Sequence, residues 1–510
     1  MSQALQLAHE WLNQNKLKEA YAAFTAILNQ QPQLPEAHFG LGKVLVRIDE
    51  LDSAVKHLSI SCQTMPDNLY PLLLLADTFQ LLNSHQDAAS IYQHILSRHI
   101  NNPQAHYHYA VYCSEYADRN NTVKHAKKCI SLLSDSSAQG TQNKASQISL
   151  EHAQMSLLAH AWLLLVKTSD KSDYWDAVKE LQRLKQQSLH WADIVMIFEY
   201  ALGNLYDKQQ EYQRAFLCWQ RANAIQFKAC TYKVSDIEEL FDQIKNQKWP
   251  NPSQQKGSYA DPTMGITPIF IVGLARTGST LIEQVLCQHE LVDTLGEQAI
   301  ISDHVAAYFS HKYAKPYPAF ISDLSDDDYV EGARIYCKAL SKRQLSSPYV
   351  VDKLPANFQS IGLIKMIFPD AKIIHSRRAF DDLALSTFQH YFAENEAYFC
   401  DIKSIHAYHT LQVNLMEFWQ HQCHLDYFVV DHELFVQEHD KTLSRLLEYC
   451  GLSHADMSST EQENKNKSIT KPVKTLSALQ VKQPINTLGI GKANPYRELL
   501  ANVGLTSDES

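Results

Sequence analysis

A glycine-flanked loop that follows an apolar run is the segment of this chain best suited to chemistry. It extends from Gly273 to Thr280, and its two glycines have the spacing of the phosphate-binding loop G-x-x-x-x-G-K-[ST]. Ser279 occupies the position of the lysine that reaches the β and γ phosphates of a triphosphate, which disfavours phosphoryl transfer from ATP. Glycines still let successive backbone N–H groups surround an anion, the next helix directs its positive end toward it, and Arg276 can add a fork of donors. We therefore predict a loop that binds a different anionic donor.

Two further groups of polar residues follow strand-like runs in the same half of the chain. Asp352 and Lys353 come directly after Val350-Val351, and Arg378 follows a second apolar run, with Ser386 eight residues later. Polar residues at the carboxyl ends of parallel strands meet at one edge of a sheet, where ligands of open α/β sheets bind. We expect these residues to join the loop, although Asp352-Lys353 also fits a strand-end ion pair or a Walker B-like aspartate.

Strand-like and helix-like runs alternate in the second half of the chain. This alternation predicts an α/β domain with a central parallel sheet, and a helix is expected from about Thr280. The predicted strands are 269–272, 349–351, 371–374 and 427–430.

The first half of the chain contains a repeat. Ala20, Phe24 and Pro32 recur thirty-four positions later as Ala54, Leu58 and Pro66, a period that resembles tetratricopeptide repeats. A late unit has the fullest match: Leu202-Gly203, Tyr206, Ala215, Trp219 and Ala222.

The repeats predict an all-α solenoid over residues 1–248, whose concave surface would bind an extended peptide or a partner protein. Between 104 and 195 the phase is lost while helical periodicity persists. Residues 249–265 are rich in helix-breaking residues and are predicted to be a linker, which leaves 266–510 for the second domain.

Composition narrows the classes of function. The chain has 510 residues, a net charge of −10 and 45% hydrophobic residues, which fits a large globular protein and disfavours general binding to nucleic acid or membrane surfaces. No uninterrupted apolar run is long enough to span a membrane, and the amino terminus lacks the pattern of a secretory signal, so we expect a cytoplasmic protein. Ten cysteines without a C-x-x-C pair and histidines without metal-binding spacing predict neither a disulfide framework nor a metal site.

Together, the loop 273–280, the segment Asp352-Lys-Leu-Pro355 and the pair Arg378 and Ser386 resemble the sulfotransferase family. Specifically, the chain resembles bacterial proteins that join tetratricopeptide repeats to a P-loop-type domain similar to tyrosylprotein sulfotransferase. The resemblance covers about residues 266 to 500 and implies that 3′-phosphoadenosine 5′-phosphosulfate is the sulfuryl donor.

The resemblance also assigns the donor-binding residues. It implies that the 5′ phosphosulfate lies in the loop formed by Arg276, Thr277, Gly278, Ser279 and Thr280. Arg378 and Ser386 would hold the 3′ phosphate. A later stretch would cover the adenine and reach the 3′ phosphate, with Ser477, Gln480, Lys482, Asn486 and Lys492 as its binding residues.

Sulfuryl transfer needs positioning, charge stabilisation at the leaving oxygen and a base for the acceptor proton. The resemblance gives the role of base to Glu297, and the stabilising charges to Lys353 and Arg276. From the residues alone, a solvated loop acid is the favoured interpretation of Glu297, because isolated charges are usually exposed, and only its spacing from the loop in the resemblance reverses this. The implied enzyme is a sulfotransferase acting on a hydroxyl acceptor, with a protein tyrosine as one candidate and the repeats as the arm that recruits a protein or peptide.

Four positions depart from the family's usual residues: Ala275, Ala379, Asp431 and Ala493. They favour an alternative of another class, a repeat scaffold whose sulfotransferase-like domain has become a binding module. A third alternative, a P-loop kinase or NTPase, is disfavoured by Ser279.

Overall fold

The chain divides into two compact units. The first contains Met1–Ala110, Lys128–Ser136 and Lys338–Gln344, and the second contains Val111–Lys127, Ser137–Cys337 and Leu345–Ser510. In the described residues no helix is both long enough and apolar enough to cross a membrane. The computed structural model describes residues 3–116, 118–135, 144–169, 177–230, 233–249, 265–343, 345, 347–392, 397–454, 457, 485 and 487–504.

The described chain is helical up to residue 249. Local signals set several boundaries: Pro35 opens one helix at a position where its missing N–H costs nothing, and the Asn68 side chain caps another by accepting from the Tyr70 N–H. The helices are α1 (Gln3–Asn13), α2 (Leu17–Gln30), α3 (Pro35–Arg47), α4 (Leu51–Thr64), α5 (Leu69–Leu81), α6 (His85–Arg98), α7 (Pro103–Glu115), α8 (Arg119–Asp135), α9 (Lys144–Thr168), α10 (Ala177–Gln187), α11 (Ala192–Lys208), α12 (Tyr212–Ala229) and α13 (Val234–Lys245).

Small residues let neighbouring helices approach closely where the repeat pattern predicts it. A Cβ on Gly203 of α11 would lie 2.4 Å from the indole nitrogen of Trp219 of α12, and Ala215 and Ala222 are completely buried. The prediction of an all-helical amino-terminal region is confirmed. That these helices are tetratricopeptide repeats stays a prediction, as does the domain boundary at 248.

Five strands alternate with helices beyond residue 265. The strands are β1 (Thr267–Gly273), β2 (Val292–Gly296), β3 (Tyr349–Asp352), β4 (Lys372–Arg377) and β5 (Phe428–Asp431). The α-helices are α14 (Ser279–Leu286), α15 (Ala307–Tyr313), α16 (Asp326–Ser341), α17 (Ile361–Ile367), α18 (Phe380–Phe388), α19 (Ala397–Cys400), α20 (Ile402–Glu417), α21 (His432–Gln437), α22 (His439–Cys450) and α23 (Arg497–Asn502).

The strands form one parallel sheet in the order β2-β3-β1-β4-β5. The predicted parallel sheet is confirmed, and all four predicted strands are present. The strand order runs outward from β1 in both directions, to β3 on one side and β4 on the other. This reversal opens a crevice at the carboxyl ends of the central strands, the usual ligand position in such sheets. The loop after β1 therefore lies at that crevice.

Buried aliphatic residues on β1 hold the loop's leading strand in place. Ile269 and Ile271 are 0% exposed and pack in one core with residues of α14, β3, β4 and α22. Because β1 pairs with β4 up to Gly273 and with β3 up to Phe270, its carboxyl end is fixed on both sides. The loop therefore starts from a rigid point.

Candidate active site

The loop after β1 adopts a backbone that most side chains would disfavour. Gly278 has a φ of 93°, and a Cβ there would lie 2.5 Å from His432 Nδ1. A Cβ on Gly273 would lie 2.5 Å from the Ser376 carbonyl oxygen. Arg276 has a φ of 70°, and a non-glycine residue in the left-handed region costs roughly 1 kcal/mol. The loop is therefore held in a specific shape that presents Arg276.

Hydrogen bonds brace this loop against β4. The Thr277 hydroxyl donates to the Leu274 carbonyl at 2.8 Å and lies 2.6 Å from the Ser376 hydroxyl. Ser279 and Thr280 follow as the buried first residues of α14. The first turn of a helix carries N–H groups that have no intrahelical acceptor and forms the positive end of the helix dipole. The predicted loop residues thus lead into the positive end of α14, and their role as an anion cradle stays a prediction.

The loop meets two residues that follow β4. Arg276 Nε donates to Ser386 Oγ at 3.0 Å, and Arg378 Nη1 donates to the Arg276 carbonyl at 3.2 Å. Ser386 lies on α18, and its own carbonyl is 2.7 Å from His390 Nδ1. The predicted phosphosulfate loop and the predicted 3′-phosphate residues therefore share one site.

A segment near the carboxyl terminus closes over Arg378. Arg378 Nη2 donates to the Gly489 carbonyl at 2.6 Å. Asp382 anchors the same segment, because its carboxylate accepts from the N–H of Gly491 at 2.7 Å and from the N–H of Ala493 at 2.8 Å. Arg378 Nε is buried, and no hydrogen-bond partner for it occurs among the described residues. An unused, buried donor beside the loop suits an incoming anion.

Lys492 reaches the site from this segment. Its ammonium donates to Gln389 Oε1 at 3.0 Å and lies 3.6 Å from Asp207 Oδ2. The other predicted residues of the late stretch lie outside the described residues: Ser477, Gln480, Lys482 and Asn486.

The cations of this site lower one another's pKa values. Burial, followed by the charge of Arg378, lowers the pKa of Arg276 to about 10. Burial also lowers the pKa of Lys492, with Arg276 and Arg378 adding to the effect against the opposing influence of Asp207. The His390 pKa lies well below its usual range because of burial and then the charge of Arg276. A bound anion would relieve this repulsion, so the electrostatics favour an anionic ligand.

The predicted base and the predicted stabilising lysine form an ion pair. Lys353 donates to Glu297 Oε1, and its ammonium lies 3.5 Å from Glu283 Oε2. Lys353 and Glu283 side chains are 0% exposed, whereas that of Glu297 is 51% exposed. Burial alone would lower the Lys353 pKa, but the two carboxylates together raise it above its usual value. The lysine is thus a buried cation that fixes Glu297 at the solvent side.

Asp352 lies next to Lys353 and is held by two side-chain hydrogen bonds. It accepts from the Tyr336 hydroxyl at 3.0 Å and from Asn357 Nδ2 at 3.1 Å. Burial raises its pKa to about 7, and the hydrogen bonds only partly oppose this effect. Asp352 therefore orients the β3 end through hydrogen bonds rather than contacting a ligand.

Two of the positions that depart from the family's pattern have well-defined partners. The Ala379 N–H donates to Glu433 Oε1 at 3.0 Å, and Asp431 forms an ion pair with Arg377 at 2.9 Å. These contacts tie the β4 and β5 ends together beside Arg378. Ala379 and Asp431 therefore lie in a hydrogen-bonded and ion-paired part of the site, although both differ from the family's usual residues.

Sequence reasoning missed three residues of this site. Glu283 is the buried partner of Lys353, Asp382 anchors the closing segment, and Lys167 of α9 lowers the pKa of His390. A carboxylate at position 283, between Ile282 and Val285 of α14, was a usable signal, because buried acids are rarely left without a cation. No local pattern marks Lys167, since its role depends on how α9 packs.

Comparison with known proteins places the site in a recognised family segment. Residues 268–456 match the sulfotransferase family. An "Uncharacterized protein" from Aquifex aeolicus (strain VF5) is 27% identical over 312 residues, which cover 60% of this chain. The chain spans only 40% of the length of that relative.

Two solved structures are also similar to this chain. Sulfotransferase STF1 from Mycobacterium tuberculosis H37Rv has 14% identity and a TM-score of 0.28, over 61% of this chain and 93% of its own. Sulfotransferase STF9 from Mycobacterium avium has 11% identity and a TM-score of 0.26, over 74% of this chain and 100% of its own. The family match over residues 268–456 confirms the coarse part of the resemblance predicted from the motifs, a sulfotransferase segment in the second half of the chain. The tyrosylprotein and tetratricopeptide assignments stay predictions.

Proposed function

We propose that this protein is a sulfotransferase that moves a sulfuryl group from 3′-phosphoadenosine 5′-phosphosulfate to a hydroxyl acceptor. The observation that carries the proposal is the convergence of the lysine-free anion loop with Arg276, Arg378 and Ser386 at the crevice of the sheet. The family match over residues 268–456 supports the same reading.

The residues present fit this donor. The buried and unused Arg378 Nε, the loop shape imposed at Gly278 and the start of α14 all suit phosphate or sulfate oxygens. Arg378, Ser386 and Lys492 would hold the 3′ phosphate, and residues 276–280 would hold the 5′ phosphosulfate. When bound, the donor supplies the SO₃ group, and the protein supplies position and charge.

Glu297 is the base in this proposal. Its half-exposed side chain can be reached by an acceptor hydroxyl, and the Lys353 ammonium fixes one of its oxygens. A positioned carboxylate can take the hydroxyl proton as the new bond forms.

Arg276 and Lys353 stabilise the developing negative charge in different ways. Arg276 is partly solvent-accessible and can contact the leaving oxygen directly. Lys353 is 0% exposed, so it acts through the charge that it adds next to Glu297. The acceptor is a hydroxyl compound, with protein tyrosine as a candidate, and the amino-terminal helices are the proposed recruiting surface for a protein or peptide.

The test is a transfer assay with donor labelled in the sulfuryl group, using a cell extract as the source of acceptors. We expect a labelled acceptor and stoichiometric adenosine 3′,5′-bisphosphate. Glu297→Gln is expected to lower turnover by about 100-fold or more while donor binding by calorimetry stays unchanged. Full turnover in Glu297→Gln would remove Glu297 from the role of base.

A second candidate is a scaffold protein with an inactive sulfotransferase-like domain. The departures at Ala275, Ala379, Asp431 and Ala493 favour it. Calorimetry with the intact donor separates the two: micromolar binding supports the enzyme, and absence of binding supports the scaffold.

A further inference from the structure

Lys167 lies in the last turn of α9, yet it does not cap that helix. Other cations bind the terminal carbonyls: the Lys208 ammonium donates to the carbonyls of Val166 and Ser169, the latter at 2.7 Å, and Arg119 Nε donates to that of Thr168 at 2.7 Å. Within the described part of the chain, Lys167 itself has no hydrogen bond and no ion pair, and its side chain is exposed. Its ammonium is therefore available to a ligand.

The packing of α9 directs Lys167 toward the site. His160 lies seven residues earlier, and positions seven apart share one helix face. The ring of His160 is 6.0 Å from that of Tyr391, which directly follows His390 of the site. The face of α9 that carries Lys167 thus packs against the segment that continues from Ser386.

Contacts of the neighbouring helix α11 also place the end of α9 beside the site. Asp207, next to the Lys208 that binds the end of α9, accepts from the Tyr496 hydroxyl at 2.5 Å and lies 3.6 Å from the Lys492 ammonium. The carboxyl ends of α9 and α11 therefore lie together beside the segment that closes the donor site.

The electrostatics agree with this placement. The surrounding protein, and then the charge of Arg276, lower the pKa of the Lys167 ammonium to about 8. Water nevertheless reaches this residue. A lysine without an anionic partner next to Arg276 adds repulsion that a bound anion would offset.

We propose that Lys167 is a further donor-binding residue, whose ammonium contacts the 3′ phosphate held by Arg378, Ser386 and Lys492. This inference rests on the proposed function. It means that the donor site takes one of its cations from the helical region, outside the segment that matches the sulfotransferase family.

The test compares Lys167→Gln with a matched control, Lys228→Gln. Both lysines are exposed, lie in the last turn of a helix and belong to the same compact unit, so both variants lose the same helix-dipole contribution. Calorimetry on the full chain measures binding of adenosine 3′,5′-bisphosphate and of adenosine 5′-monophosphate, which lacks the 3′ phosphate.

We expect Lys167→Gln to weaken binding of the bisphosphate by about 10- to 100-fold, the range of a hydrogen bond between charged groups, and to leave the monophosphate within about threefold. Lys228→Gln should change neither ligand, and Lys167→Arg should restore most of the bisphosphate affinity because it keeps the charge. The ratio of the two affinities decides the outcome, because a folding defect would weaken both ligands by the same factor.

Bisphosphate binding that is unchanged in Lys167→Gln would overturn the inference and leave the proposed function standing. Equal weakening of both ligands would also overturn it, because Lys167 would then act elsewhere than at the 3′ phosphate. If the wild-type chain binds no bisphosphate, the proposed function itself fails.

Discussion

Replacing Lys353 with methionine should destabilise the protein strongly, because it leaves a buried carboxylate without its cation. Lys353 and Glu283 are both 0% exposed, and their charged atoms are 3.5 Å apart. Removing one partner of such a pair costs about 3–5 kcal/mol. The pair with Glu297 adds little to this loss, because that side chain is 51% exposed and solvent screens the interaction. We expect the midpoint of thermal unfolding to fall by on the order of 10 °C.

A second substitution isolates the cause. In Lys353→Met/Glu283→Gln the buried site is neutral, and the new amide oxygen can still accept from the Thr294 hydroxyl, which lies 2.5 Å from Glu283 Oε1. We expect the double variant to regain more than half of the lost stability. Both variants should be inactive in sulfuryl transfer, because neither has the Lys353 ammonium beside Glu297.

The dependence on pH gives an independent check by calorimetry between pH 5 and 7. Burial raises the pKa of Glu283 even when Lys353 is present, and loss of the lysine raises it further. The folded Lys353→Met chain then keeps a proton that the unfolded chain releases above about pH 4.3, so its stability falls as the pH rises, by at most about 1.4 kcal/mol per unit. The stability of the single variant should therefore fall more steeply than that of wild type from pH 5 to pH 7, whereas the double variant, which has no titratable group at position 283, should lack this fall.

A buried Lys353–Glu283 pair is refuted if Lys353→Met shifts the midpoint by less than about 3 °C, or if the double variant is no more stable than the single one at pH 7. Either result would mean that the carboxylate of Glu283 is solvated in the folded protein.

Two other predictions follow from particular contacts. Arg378→Gln should weaken binding of adenosine 3′,5′-bisphosphate by about 10- to 100-fold in calorimetry, because it removes the buried Nε donor. The neighbouring Arg377→Gln is the control: it loses only an exposed ion pair and should bind the bisphosphate within about threefold of wild type. Gly203→Ala places a Cβ 2.4 Å from the Trp219 indole and should lower the free energy of unfolding by about 1–3 kcal/mol. In the control Gly489→Ala the nearest atom to the new Cβ is 3.5 Å away, so the loss should be less than about 1 kcal/mol. Equal midpoints of thermal unfolding in the two variants would contradict the close approach of α11 and α12.

Local sequence patterns predicted four of the five strands. Four strands, β1, β3, β4 and β5, were each predicted from an apolar run in the sequence. The fifth, β2, was missed because Asp293 and Thr294 interrupt the apolar pattern of Val292–Gly296. An edge strand is stabilised by its register with β3, which local hydrophobicity does not encode.

The glycine-flanked loop after β1 was likewise recognisable from sequence, because its glycines are required by the backbone itself. Gly278 has a left-handed φ and no room for a Cβ, so the residue type and the geometry are linked at that position. The roles of Arg276, Arg378 and Ser386 were then predicted as a set, and the structure brings them within hydrogen-bonding distance.

The sequence by itself determined the all-helical first part, the parallel sheet and the lysine-free anion loop, because periodicity, strand pattern and glycine spacing are local consequences of backbone sterics and solvent. Only the tertiary structure decided that Glu283 shares Lys353 with Glu297 and that the charge of Arg276 acts on Lys167. Charges act through space over several ångströms, and residues 167 and 276 become neighbours only when α9 packs beside the segment that follows Ser386.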